Sequence, residues 1–246
     1  MGKLPQKLKR DAILEALLEI RFETKQVGEL LVGRLASSFQ LEGYEVSRLP
    51  IANFPAEVRE ADENLRFQPT LQLTSPAASE LIKVGPHVVS LHVLAPYPGW
   101  ERMSHRLQQV IQTLYEVVTD VSLSRLGLRY INAITADHDV ARISDLQFSL
   151  ELGGEQVNSE MVFSHRFKVD NEIHGTLSLA TPSFVSGPSL PSECAAFVDI
   201  DVFTPRPLGR PDLEAVLQWV ERAHMAEKEA FFSLFSETQI EKLRED

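Results

Sequence analysis

The chain has 246 residues, enough to bury a sizeable core as one large domain or two small ones. Its composition, 43% hydrophobic and 24% charged, is that of a soluble globular protein, and a net charge of −11 repels phosphate backbones and so argues against non-specific nucleic-acid binding. A single cysteine, Cys194, excludes an internal disulfide and a thiolate zinc cluster, and no stretch approaches the roughly 20 apolar residues of a membrane helix.

The start is basic, with Lys3, Lys7, Lys9 and Arg10, and residues 1–10 read as a flexible tail. No apolar run of signal-peptide type precedes Asp11, which with the cysteine usage points to the cytoplasm. Residues 12–23, AILEALLEIRFE, favour helix by composition and strand by alternation. The ending in IRF, with a helical pattern soon after, decides for a strand. That helix spans 27–41, with Leu30, Leu31, Leu35 and Phe39 on one face and Gly43 as its stop. Residues 45–64 carry Pro50 and Pro55 and predict irregular chain. Strands follow at 65–74 and 80–95, joined by a turn with Ser75, Pro76 and Ser79. Pro98 and Gly99 precede a helix over 100–118, whose stripe includes Trp100, Met103, Leu107, Ile111 and Leu114.

The next strand is RLGLRYINAI, 125–134. Four more lie near 145–152, 159–169, 172–180 and 195–204, with turns at Gly153-Gly154 and Asp170-Asn171. Residues 181–194 are rich in Pro and Ser and read as a long loop. Pro211 opens a last long helix over 211–236, with Val216, Val220, His224 and Phe231 on one face.

The familiar hydrolytic and nucleotide-binding signatures are missing: there is no G-x-S-x-G elbow, phosphate loop or Rossmann glycine pattern. The seven histidines show no metal-ligand spacing, and the adjacent triplet Asp137-His138-Asp139 is poorly placed to converge on one ion. We therefore expect no metal and no cofactor. Cys194 reads as a small residue beside a loop. His224, on the apolar face of the last helix, is either a hydrogen-bonded core histidine or a general base or polar lining of a pocket beneath the helix.

The richest pattern is spread over strands. Arg125 and Arg129 share one strand face, Asp199 and Asp201 another, and Glu15, Glu19 and Arg21 a third. In the 159–180 hairpin, Arg166 and Lys168 share a face, as do His174 and Thr176. If these strands lie in one sheet, the rows pair across it, as a solvated ion-pair face, as a polar groove for a ligand or partner, or, least favoured, as a metal or hydrolytic carboxylate site. Asn132 falls on the apolar side with Leu126, Leu128, Tyr130 and Ile134, so it needs a hydrogen-bond partner there.

AILEALLEIRF, KVGPHVVSL, YPGWE, RLGLRYINAI, FVDIDVF and AHMAEKEAFFSLF, in this order, resemble an uncharacterised, sporadically distributed family of bacterial proteins. The likeness spans nearly the whole chain. It is strongest at Arg125, Gly127, Leu128, Arg129, Tyr130, Ile131 and Asn132, with Tyr97 and Trp100 before them and His224 after. The resemblance transfers no catalytic residue. The family's patchy distribution implies mobile genes, such as phage-defence or toxin–antitoxin neighbourhoods.

These readings predict a single α+β domain over 11–246, with a curved, mainly antiparallel sheet on amphipathic helices and a long C-terminal helix in a helix-grip-like arrangement. Two similar half-domains, 11–120 and 121–240, are the alternative. The predicted function is a non-enzymatic binding or regulatory protein with a protein partner or a second copy of itself. The alternative is a small-ligand-binding or hydrolytic domain, with Arg129, Tyr130, Asn132, Asp199, Asp201 and His224 around one pocket and Arg125 beside them.

Overall fold

The computed structural model describes residues 4–5, 7–41, 43–157, 160–185, 191 and 193–245. Part of the predicted loop, 186–190 and 192, lies outside them. In chain order the elements are β1 (Ile13–Glu23), α1 (Gly28–Phe39), β2 (Glu45–Arg48), α2 (Ala56–Ala61), α3 (Glu63–Arg66), β3 (Leu71–Thr74), β4 (Glu80–Gly85), β5 (Val88–Leu94), α4 (Trp100–Val117) and β6 (Ser122–Ile134). There follow β7 (Glu151–Leu152), β8 (Glu155–Gln156), β9 (Val162–Lys168), β10 (His174–Ala180), β11 (Ala196–Phe203), α5 (Leu213–Phe232) and α6 (Glu237–Leu243).

The fold is α+β. Nine strands form one antiparallel sheet in the order β2-β3-β4-β5-β1-β6-β11-β10-β9. The central pair is β1 and β6, with Leu18 opposite Leu128. On one side β5, β4 and β3 run outward, and on the other β11, β10 and β9 do the same. A long helix follows the inner strand of each set, α4 after β5 and α5 after β11.

The alternation in β1 is complete. Ala16, Leu18, Ile20 and Phe22 are buried, while Glu15, Leu17, Glu19 and Arg21 are only partly covered. The same face takes Leu126, Leu128 and Tyr130 from β6 and Val198, Ile200 and Val202 from β11. Helix α1 packs over β3 and β4, α4 over β5, and α5 over β11 and β6. All of the main core lies on this side. Val88, Ala133 and Phe197 are buried on the other face, and none of them joins the core cluster. The sheet therefore has one helix-covered face and one open face. Helix α5 packs on β11 and β6. Its buried side, including Val216, Trp219, Val220 and Ala223, is packed into the core.

Several predicted elements need correction. The run 80–95 is two strands, because Pro86-His87 turn the chain between β4 and β5. Residues 63–66 are helical, so β3 begins only at Leu71. Of the strand predicted at 145–152, only Glu151 and Leu152 pair, with β8. Helix α5 ends at Phe232 and a separate α6 follows, started by a Ser236–Gln239 capping box. The basic start is not free where it is described: Leu8 bridges to Arg244, Lys9 N donates to Leu243 O, and Lys7 pairs with Glu245.

One glycine is required by its neighbour. A Cβ on Gly127 would lie 2.1 Å from Arg125 Nη1, so the guanidinium crosses β6 over the bare backbone. It there reaches Glu19 on β1 and Asp201 on β11. Gly127→Ala should displace it and lower stability by no more than about 1 kcal/mol. The same substitution in an Arg125→Ala background should cost less than half as much. Urea unfolding of the wild type, both single variants and the double variant measures the coupling.

Candidate functional site

The open face is organised in rows set by strand register. Lys83, Ser90, Glu19, Gly127 and Phe203 face one another across β4, β5, β1, β6 and β11. The next row is Leu81, His92, Leu17, Arg129 and Asp201. Beyond it Glu15, Ile131 and Asp199 align. This spacing puts each cation beside two carboxylates. Arg129 grips Asp199 with two bonds, Nε to Oδ1 at 2.7 Å and Nη2 to Oδ2 at 2.5 Å. Arg125 donates to Glu19 at 3.1 Å and to Asp201 at 2.6 Å, with its guanidinium carbon 5.3 Å from the Phe203 ring centre. Arg21 also donates to Glu19, at 2.7 Å. Burial pushes the Asp201 carboxyl up despite its two arginines. Arg166 stands opposite Thr176 and Lys168 opposite His174, so both rows of the hairpin fall on this face.

A second polar chain runs beside this network. Glu15 Oε1 lies 2.5 Å from His92 Nδ1, and His92 Nε2 lies 2.9 Å from Ser90 Oγ. Ser90 and His92 are two apart on β5, so both point to the open face, and Glu15 reaches across from β1. The bond to His92 holds the Glu15 carboxyl below the usual range, against the opposing effect of burial. Sequence reading missed this chain. The signal was present in VVSLHVL, where a serine and a histidine share one face of an otherwise apolar strand.

The helix-covered face holds a different group. Tyr130 is fully buried there, with its hydroxyl 3.3 Å from His224 Nδ1 on α5 and 3.5 Å from the Tyr97 hydroxyl. Trp100, at the start of α4, stacks on His224 with ring centres 3.8 Å apart, and its Nε1 donates to Glu221. Glu227, one turn after His224, is 5% exposed. Loss of water pushes its carboxyl up to about 8 and the His224 imidazole down to about 4, so both are neutral at pH 7. Tyr97, Trp100, Tyr130 and His224, far apart in sequence, thus meet at the seam of α4, α5 and β6. An open groove of about 660 Å3 runs alongside between α4 and α5, lined by His105, Gln108, Leu217, Val220 and Glu221 among others.

The predicted single pocket is therefore corrected. Arg125, Arg129, Asp199 and Asp201 stand on the open face, while Tyr130, Asn132 and His224 stand on the covered one, with the sheet between them. Asn132 takes the plainer of its two options and donates to Val198 O at 3.2 Å. Cys194 donates to the carbonyls of Ile134 and Ala196, and burial raises its thiol pKa. In the Asp137-His138-Asp139 triplet, His138 Nδ1 accepts from Thr135 N and Asp139 pairs with Lys242. Both bonds hold the turn.

The covered-face acid gives a pH test. With a pKa near 4.5 unfolded and about 8 folded, Glu227 costs the fold nothing below pH 4.5, and the cost grows as the pH rises to 8. His224 acts oppositely, and its cost appears as the pH falls from 6.5 toward 4. Glu227→Gln should therefore stabilise the protein at pH 8, on the order of 1–3 kcal/mol, and gain little at pH 4.5. Urea unfolding at the two pH values checks the difference. Compared with known proteins, the chain matches no family model and no curated protein.

Proposed function

We propose that the protein is a cytoplasmic binding or regulatory protein that engages a protein partner through the open face of its sheet. The observation that supports this most is the pre-arranged polar surface around Arg129, Asp199, Arg125 and Asp201. Their side chains are 23–43% exposed and already locked by charged hydrogen bonds, so a partner meets ordered groups. The opposing charges there largely cancel, and acidic side chains such as Glu57, Glu63, Glu214 and Glu229 lie on the helices. Recognition on this face therefore rests on directional hydrogen bonds, and a second copy of the chain is the alternative occupant. The resemblance to a patchily distributed bacterial family supports a phage-defence or toxin–antitoxin setting, and no described helix is long and apolar enough to cross a membrane. The small-ligand alternative keeps the groove between α4 and α5 in its favour.

The test is a pull-down from native cells with mass spectrometry of bound proteins and small molecules, run in parallel for the wild type, Arg129→Ala and Asp199→Ala. Exposed pairs of this kind contribute about 0–1 kcal/mol, so both variants should melt close to the wild type. The wild type should retain a specific protein that both variants lose. Equal capture by all three removes the open face from the interaction, and a bound small molecule with no protein favours the groove.

A further inference from the structure

We propose that Ser90, His92 and Glu15 form a nucleophilic serine site for small carboxylic esters on the open face of the sheet, an activity separate from partner binding. The hydrogen bonds run in the order that activates a hydroxyl. Glu15 accepts from His92 Nδ1–H, which leaves Nε2 as the acceptor for the Ser90 hydroxyl. The neighbours suit an acyl transfer. Lys83 stands directly opposite Ser90 on β4 and makes no salt bridge among the described residues. Its positive charge, which also acts on Glu15, lies on the same face as any negative charge that develops on a substrate carbonyl oxygen. On the other side of Ser90, Glu19 is neutralised by Arg21 and Arg125. Leu81 and Leu17 flank His92 and give an acyl group an apolar floor. Ser90 is only 4% exposed, so access favours a small acyl group, and the probe that tests the site carries short alkyl groups.

In the reaction, Ser90 Oγ bonds to the carbonyl carbon and its proton passes to His92 Nε2. The bond to the alcohol oxygen breaks, and the alcohol leaves with that proton. Water then attacks the acyl-serine with proton transfer through His92, releasing the carboxylic acid and restoring the Ser90 hydroxyl. Glu15 stays ionised throughout and holds the imidazolium.

A fluorophosphonate probe, which forms an O–P bond with an activated serine and loses fluoride, tests the site on the unaltered chain, with p-nitrophenyl acetate hydrolysis as the second readout. Peptide mass mapping should place the adduct on Ser90 in the native protein, with none in urea. Ser90→Ala should abolish ester hydrolysis. His92→Gln should slow both labelling and hydrolysis by roughly 100-fold or more, and Glu15→Gln by at least about tenfold. Absence of a Ser90 adduct in the native wild type overturns the proposal, as does acylation confined to Lys83. An unchanged labelling rate in folded His92→Gln also overturns it. The wild-type adduct decides the matter even if a variant fails to fold.

Discussion

The guanidinium of Arg125 ties the middle of the sheet together. It lies across its own strand because Gly127 leaves the space, and it bonds to β1 on one side and β11 on the other. Three strands from distant parts of the chain are thereby held in one register. The ion pairs are partly solvated, so their energetic contribution is small. Their effect is on specificity, since a shift of one residue would turn Arg125 toward the helices and expose Leu126 and Leu128. The order of the open face, including the row through Lys83, Ser90 and Glu19, follows from that register.

The sheet also separates two electrostatic environments. On the open face, water and paired charges keep the carboxylates near Arg125 and Arg129 bonded to cations. Behind it, His224 and Glu227 have lost water, the Lys228 charge offsets this only in part for Glu227, and both are driven to their neutral forms. Tyr130 and Arg129 are adjacent in sequence and belong to opposite regimes.

Much of this was legible in the residues. Strict alternation identified β1, β6 and β11, and it assigned Arg125 and Arg129 to one face and Tyr130 and Asn132 to the other. Helical spacing located α1, α4 and α5 to within a few residues. What alternation could not supply was the depth of the sheet. Tyr130 and His224 belonged together, but adding Asp199 and Arg129 to them required side chains from both faces to share a pocket. The β4–β5 turn was hidden because alternation runs on across it, and only Pro86, which cannot join a central ladder, marks the break. The short α3 and α6 are set by caps at Asp62 and Ser236, which a search for apolar periodicity passes over. The serine–histidine chain carries no sequence motif, because Ser90 and His92 lie within a strand and Glu15 joins them only through the sheet register.

The placement of β1 beside β6 bears on how the chain reaches its fold. The central ladder joins residues near position 18 to residues near 128, so the middle of the sheet cannot close until most of the first half has been made. The hairpins β4–β5 and β9–β10 are local and form cheaply, whereas the pairing that unites them carries a large loop-closure entropy. Such a topology favours slow, cooperative acquisition of structure, with the two outer sets of strands waiting on a late docking of the halves. Until that docking, the inner edges of β1 and β6 are unpaired backbone, and they are the segments of this chain most exposed to mispairing with another copy.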